Sequence, residues 1–130
     1  MDTEALSHLM TDEEREHFER EGYLFIPDAL SPEEVDALTS AVDGMRTTAI
    51  ADGQTTVADN WGKADLIGQD DAFLNLVDNP RVLPKIWGAM GWNIYLYHTH
   101  LHVKLPAPDA EEGEGWMEFH QDSAHPKEGL

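Results

Sequence analysis

Residues 92–105, WNIYLYHTHLHVKL, constrain the fold more than any other part of the chain. The run is dense in aromatic and β-branched side chains and is closed by Pro106 and Pro108, which predicts an extended strand. Alternate residues of a strand share a face. His98, His100, His102 and Lys104 therefore fall on one side, and Tyr97, Thr99, Leu101, Val103 and Leu105 on the other. Imidazoles at alternate positions mark either a polar cavity or metal site, or a set of hydrogen-bonded surface histidines. Both readings stand at this level.

A polar, glycine-bearing turn over 107–115 leads to a second short strand over 116–121. It runs into His120-Gln121-Asp122, where the same two-residue period projects an imidazole and a carboxylate side by side. Those are two of the three ligands in the two-histidine, one-carboxylate triad of non-haem iron(II) oxygenases, which leaves open positions on the metal. A bare H-x-D is short enough to arise by chance, so its surroundings decide its meaning.

The first half of the chain reads as helical. Thr11-Asp12-Glu13-Glu14 is a capping box, and its helix should run to about Arg20 and end at Gly22. Tyr23-Leu24-Phe25-Ile26 then reads as a short buried strand stopped by Pro27. Ser31-Pro32-Glu33-Glu34 repeats the start signal with proline at the first helical position, and Val35, Leu38, Val42 and Met45 follow as an apolar stripe. Residues 47–70 lack periodicity and read as a long loop with Trp61 as an anchor. Short helices are expected over 71–77 and 80–87, the second ended by Gly88 and Gly91. No internal repeat or domain boundary is visible.

Composition narrows the partners. The 130 residues carry 26 acidic against 8 basic side chains, a formal net charge of −18. Such a surface repels nucleic acid and anionic lipid, and its plainest meaning is a solvated acidic coat. Without cysteine there is neither a disulfide framework nor a thiolate metal site. The acidic N-terminus lacks the plan of a secretory signal, and no run approaches the ~20 apolar residues of a membrane span. A cytoplasmic location is expected.

The order of these elements carries a resemblance. A T-D-E-E helix, G-Y-L-F-I-P, an S-P-E-E-V helix, a long loop, a histidine-bearing strand and F-H-Q-D together resemble the N-terminal half of phytanoyl-CoA dioxygenase family proteins. The resemblance is most specific from Lys63 through residues 97–106 to His120-Gln121-Asp122. It implies an α+β fold: N-terminal helices on the first strands of a double-stranded β-helix, the jelly-roll related to cupins. It implies an iron(II)- and 2-oxoglutarate-dependent dioxygenase with His120 and Asp122 as metal ligands, and 2-oxoglutarate contacts falling on Lys63 and His100. For Lys63 an exposed loop lysine is the competing reading. Related halogenating enzymes replace the carboxylate ligand with a small residue, so Asp122 implies hydroxylation or another oxidation. The substrate class expected is a small molecule or natural product, since no basic patch suited to acyl-CoA phosphates is visible.

The family pattern also requires a second iron-binding histidine and then an arginine beyond the H-x-D, whereas only residues 123–130 follow Asp122. A jelly-roll of about eight strands would likewise be incomplete. The expectation is therefore one partial domain over 1–130: a mainly helical region over 1–91, then the first jelly-roll strands over 92–130. Such an N-terminal fragment is not expected to be active alone, and a second chain or copy could supply the rest of the fold. His125, or one of His98, His100 and His102, offers another route to a third ligand. Two other classes stand beside the oxygenase: a non-catalytic binding or assembly module using an open sheet edge, and a zinc-dependent metal-cupin hydrolase built on His98, His100 and His102.

Overall fold

The structure is a computed structural model describing residues 3–106. Two capping boxes set its helical half. Thr11 Oγ1 accepts from the Glu14 N–H while the Glu14 carboxylate accepts from the Thr11 N–H, opening α2, Asp12–Glu21. Gly22 closes it at φ 79°, a left-handed conformation that costs glycine little and most residues much more. Ser31 and Glu34 repeat the reciprocal pair at the head of α3, Pro32–Ala51, with Pro32 where no N–H is needed. A four-residue helix not foreseen from the sequence, α1, Thr3–Leu6, precedes them.

The expected loop over 47–70 holds more structure than its composition announced. Helix α3 continues through Ala51, and the strand β1, Trp61–Ala64, and a single 3-10 turn, Leu66–Gly68, follow. Next come α4, Asp71–Leu74, shorter than the predicted helix, and α5, Leu83–Met90, which starts later and ends later than predicted. Gly88 lies inside α5, and Gly91 is the residue that ends it.

The strand β2, His100–Val103, pairs antiparallel with β1, placing Trp61 opposite Val103, Gly62 opposite His102, Lys63 opposite Leu101 and Ala64 opposite His100. Only these four residues of the predicted 92–105 strand are in the ladder, because β1 offers four partners. Thr99 extends the contact, its carbonyl accepting from the Asp65 N–H and its hydroxyl from the Leu66 N–H. At the other end the Leu105 N–H donates to the Asn60 side chain. Of the alternation predicted for 97–105, positions 98 to 105 follow it, with even positions exposed and odd ones half-buried, whereas Tyr97 is 71% exposed.

Residues 23–26 are not a buried strand. No neighbour pairs with them among the described residues, and Tyr23 and Phe25 are 59% and 77% exposed. Leu24 and Ile26, on the alternate positions, instead line an apolar groove with Phe18, Ile86 and Met90. The buried centre is small: Ala49 of α3, Leu66 and Phe73 meet where α3, α4 and the 3-10 turn pack together. A second contact joins α5 to α1 and α2, with Pro84 fully buried. Asn79 is also buried; its side chain caps the turn before α5 by accepting from the Arg81 N–H. The described residues thus form an α+β arrangement of helices with one two-stranded antiparallel sheet. No helix among them is long and apolar enough to cross a membrane.

Candidate functional site

The β1–β2 ribbon organises the candidate site residues by face. In an antiparallel ladder, directly opposed residues lie on the same side of the sheet. Trp61, Lys63, Leu101 and Val103 share the half-buried face turned toward α3, and Gly62, Ala64, His100 and His102 share the exposed one. Lys63 and His100 are therefore neighbours in the ladder yet project from opposite sides.

On the covered face a cleft of about 480 Å³ opens between β1 and α3. Lys63 and Trp61 form one wall, Met45, Thr48 and Asp52 line the helix side, and Asp70 stands at the rim. Arg46 holds the intervening loop in place, donating to the carbonyls of Val57 and Asp59. Sequence reasoning found Lys63 and Trp61 but not the helix wall. Past Met45 the stripe gives way to Thr48 and, at the C-cap of α3, Asp52, which an apolar-periodicity reading passes over.

On the open face the histidines form a row. His98 Nε2 and His100 Nδ1 are 2.9 Å apart. The His100 and His102 rings meet edge to face with centroids 5.0 Å apart, and Tyr97 stands edge-on to His98 at the same centroid distance. The opposing positions on β1 are small, and Gly62 makes room for His102: a Cβ there would lie 3.3 Å from the His102 Nδ1. The row is exposed, with His98 and His100 joined by a hydrogen bond. No group of three His, Asp or Glu side chains among them is arranged to hold a metal ion. His120, Asp122 and His125, with the predicted turn over 107–115 and strand over 116–121, lie outside the described residues.

The basic side chains are largely committed. Lys85 Nζ pairs with Glu14 at 2.6 Å, Arg81 with Glu34 at 3.3 Å, and Arg20 with Glu21 at 2.7 Å. Arg15 donates to the Gly88 carbonyl. Lys63 and Lys104 are left, among the described residues, as cations without an ion pair or hydrogen bond, and they lie on opposite faces.

No curated protein and no solved structure matches the chain. A family model, that of phytanoyl-CoA dioxygenase (PhyH), matches residues 18–127, from within α2 through the ribbon and beyond the H-x-D segment. That span takes in every candidate ligand named above, from Lys63 to His125, and covers most of the 130 residues. The chain belongs to the phytanoyl-CoA dioxygenase family.

Proposed function

We propose that the protein is a non-haem iron(II)- and 2-oxoglutarate-dependent dioxygenase that hydroxylates a small molecule or natural product. The observation that carries this reading is the family match across 18–127, a span that includes His120-Gln121-Asp122, the residues to which the resemblance assigns the metal. In this reading β1 and β2 belong to a double-stranded β-helix, and His120 and Asp122 hold the metal. Their chemistry fits: an imidazole and a carboxylate form the mixed donor set that ferrous iron accepts with positions left open. Bound iron, with 2-oxoglutarate and dioxygen, supplies the oxidising power for hydroxylating a carbon.

What the chain's own residues contribute is binding and orientation. His100, on the open face with His98 and His102, is a donor for a dicarboxylate or for substrate. Lys63 offers a separate cation on the opposite, covered face. The commitment of Arg15, Arg20, Arg46, Arg81 and Lys85 to internal contacts supports a substrate without clustered phosphates. An acyl-CoA thioester would call for several free cations on one surface.

The test is iron content and cosubstrate turnover of the full-length polypeptide. Reconstituted with ferrous ion, it should bind 2-oxoglutarate and release succinate in the presence of oxygen. His120→Ala and Asp122→Ala should each abolish iron retention and succinate formation. Succinate release that persists undiminished in His120→Ala defeats the ligand assignment. A protein that takes up no iron but forms a stable higher-order complex by light scattering belongs instead to the assembly class.

A further inference from the structure

The open face of the ribbon carries, at the start of β2, two imidazoles that are not among the proposed iron ligands. His98 and His100 stand two residues apart, both exposed, with Nε2 of one 2.9 Å from Nδ1 of the other. Their ring planes differ by only 13°, with centroids 4.8 Å apart. Parallel rings stacked face to face keep their atoms about 3.5 Å apart or more. A 2.9 Å approach between near-parallel rings therefore means that the nitrogens meet edge to edge, lone pair toward ring nitrogen.

That separation is the spacing of two adjacent ligands on one metal ion. With metal–nitrogen bonds of about 2.0–2.1 Å, two imidazoles on neighbouring positions place their nitrogens roughly 2.9 to 3.4 Å apart, from octahedral to tetrahedral angles. A cation held by both nitrogens lies off the line that joins them, so exchanging the hydrogen bond for a chelate turns each exposed ring by roughly 35–45° while their separation changes little. We propose that His98 and His100 form a surface chelate for a borderline divalent transition ion (copper(II), nickel(II) or zinc(II)), with water or a small ligand on the remaining positions.

Three features of the face agree with this. Ala64, opposite His100, and Gly62, opposite His102, leave the imidazoles uncovered, so an ion can approach from solvent. The net charge of −18 concentrates cations around the protein. His102 is turned edge-on to His100 and lies against Gly62, which makes this a two-nitrogen chelate rather than a three-donor cage. Two neutral imidazoles follow the general order of divalent affinity, so copper(II) should bind most tightly and manganese(II) and iron(II) most weakly. The pair is accordingly separate in chemistry from the His120 and Asp122 assignment, and it does not depend on that assignment.

The full-length polypeptide carrying both His120→Ala and Asp122→Ala, which removes the proposed iron ligands, is titrated with copper(II), zinc(II) and manganese(II) by calorimetry. Copper coordination is read by electron paramagnetic resonance. The expected result is one tight equivalent of copper with hyperfine structure from two nitrogens, weaker zinc binding and no measurable manganese binding. Adding His98→Ala or His100→Ala should lower copper affinity at least tenfold and remove one nitrogen from the spectrum, while His8→Ala changes neither. Circular dichroism confirms that each variant retains its helices. Copper affinity and spectrum unaltered by His98→Ala and His100→Ala would overturn the proposal, as would failure of the His120→Ala, Asp122→Ala protein to bind copper at all. Neither result bears on succinate formation, the measure on which the oxygenase reading stands.

Discussion

Lys63 and His100 leave opposite faces of the β1–β2 ribbon: Lys63 is paired with Leu101 on the side turned to α3, and His100 with Ala64 on the open side. Both residues are assigned to 2-oxoglutarate by resemblance, yet in this register no single small ligand touches both without a change in the ribbon. A dicarboxylate held by His100 would sit on the histidine row, whereas one held by Lys63 would sit in the cleft lined by Asp52 and Asp70. The two carboxylates make that cleft the less favourable host for an anion.

The first prediction follows from that separation. In the iron-loaded protein, His100→Ala should weaken 2-oxoglutarate binding more than Lys63→Met does. Because the two side chains share no ligand, their effects should add to within about 0.3–0.5 kcal/mol in a double-mutant cycle. Calorimetric titration of the four proteins supplies the cycle. A coupling well above about 1 kcal/mol would show that both groups grip the same molecule and that the ribbon rearranges when it binds.

A second prediction concerns acid stability. The Lys85 hydrogen bond holds the Glu14 carboxyl below its ordinary value of 4.5, outweighing the burial that pushes it up, and the Thr11 N–H adds to the lowering. Glu34 is lowered likewise, first by the Ser31 N–H and further by Arg81, again against burial. A carboxyl with a depressed folded pKa binds protons more readily when unfolded. Its contribution is therefore complete above about pH 4.5 and is lost as pH falls through the lower folded value. Urea titrations at pH 7 and pH 3.5 should show a smaller loss of stability on acidification for Glu14→Gln than for the parent. Lys85→Met should cost about 1 kcal/mol at pH 7 and much less at pH 3.5. An equal cost at both pH values would assign Lys85 to packing alone.

How much of this was legible from the sequence depended on how local the determinant is. The capping boxes at Thr11 and Ser31, and the stop at Gly22, need only neighbours within four residues, and they stand where the sequence put them. The alternation over 98–105 is likewise intrinsic to an extended backbone. What the sequence withheld was pairing. Trp61-Gly62-Lys63-Ala64 has almost no strand propensity of its own and is extended because β2 lies beside it. Conversely, Tyr23-Leu24-Phe25-Ile26 has the propensity but no partner among the described residues, so it stays irregular. The same dependence hid the site's key relationship, since which faces Lys63 and His100 occupy is fixed only by the register between two segments some forty residues apart.

A third prediction tests the caps. Ser31→Ala removes the oxygen that accepts from the Glu34 N–H and should destabilise the protein by about 0.5–2 kcal/mol. Gly22→Ala places a side chain in a left-handed backbone at φ 79°, with a penalty of roughly 1 kcal/mol. Space is not the obstacle at that position, because a Cβ there meets nothing within 4 Å. Gly22→Asn should accordingly recover part of the loss, since asparagine tolerates this conformation and alanine does not. Denaturant midpoints at unchanged slope provide the measurement. Equal losses for alanine and asparagine would count against a conformational cause.

The last prediction separates two effects of opposite sign at Gly88. An alanine in the interior of α5 should stabilise the helix by about 1 kcal/mol on propensity alone. A Cβ at Gly88, however, would run into the Cβ of Met10. That contact is not with the end of a flexible chain, so rotation of the methionine cannot relieve it. The backbone cannot yield freely either, because the segment is tied to α5 at two further points. Arg15 donates to the Gly88 carbonyl at 2.7 Å, and Lys85 donates to the Leu9 carbonyl at 3.1 Å. Overpacking of this kind costs about 1–3 kcal/mol, enough to reverse the propensity gain. Gly88→Ala should therefore lower the unfolding midpoint. Met10→Ala, which keeps the offending Cβ, should not rescue it. Met10→Gly in the Gly88→Ala background should recover stability relative to Met10→Gly alone, exposing the helix propensity that the clash conceals. If Gly88→Ala by itself raises the midpoint, the close approach of residues 9–15 to α5 is not a feature of the protein in solution.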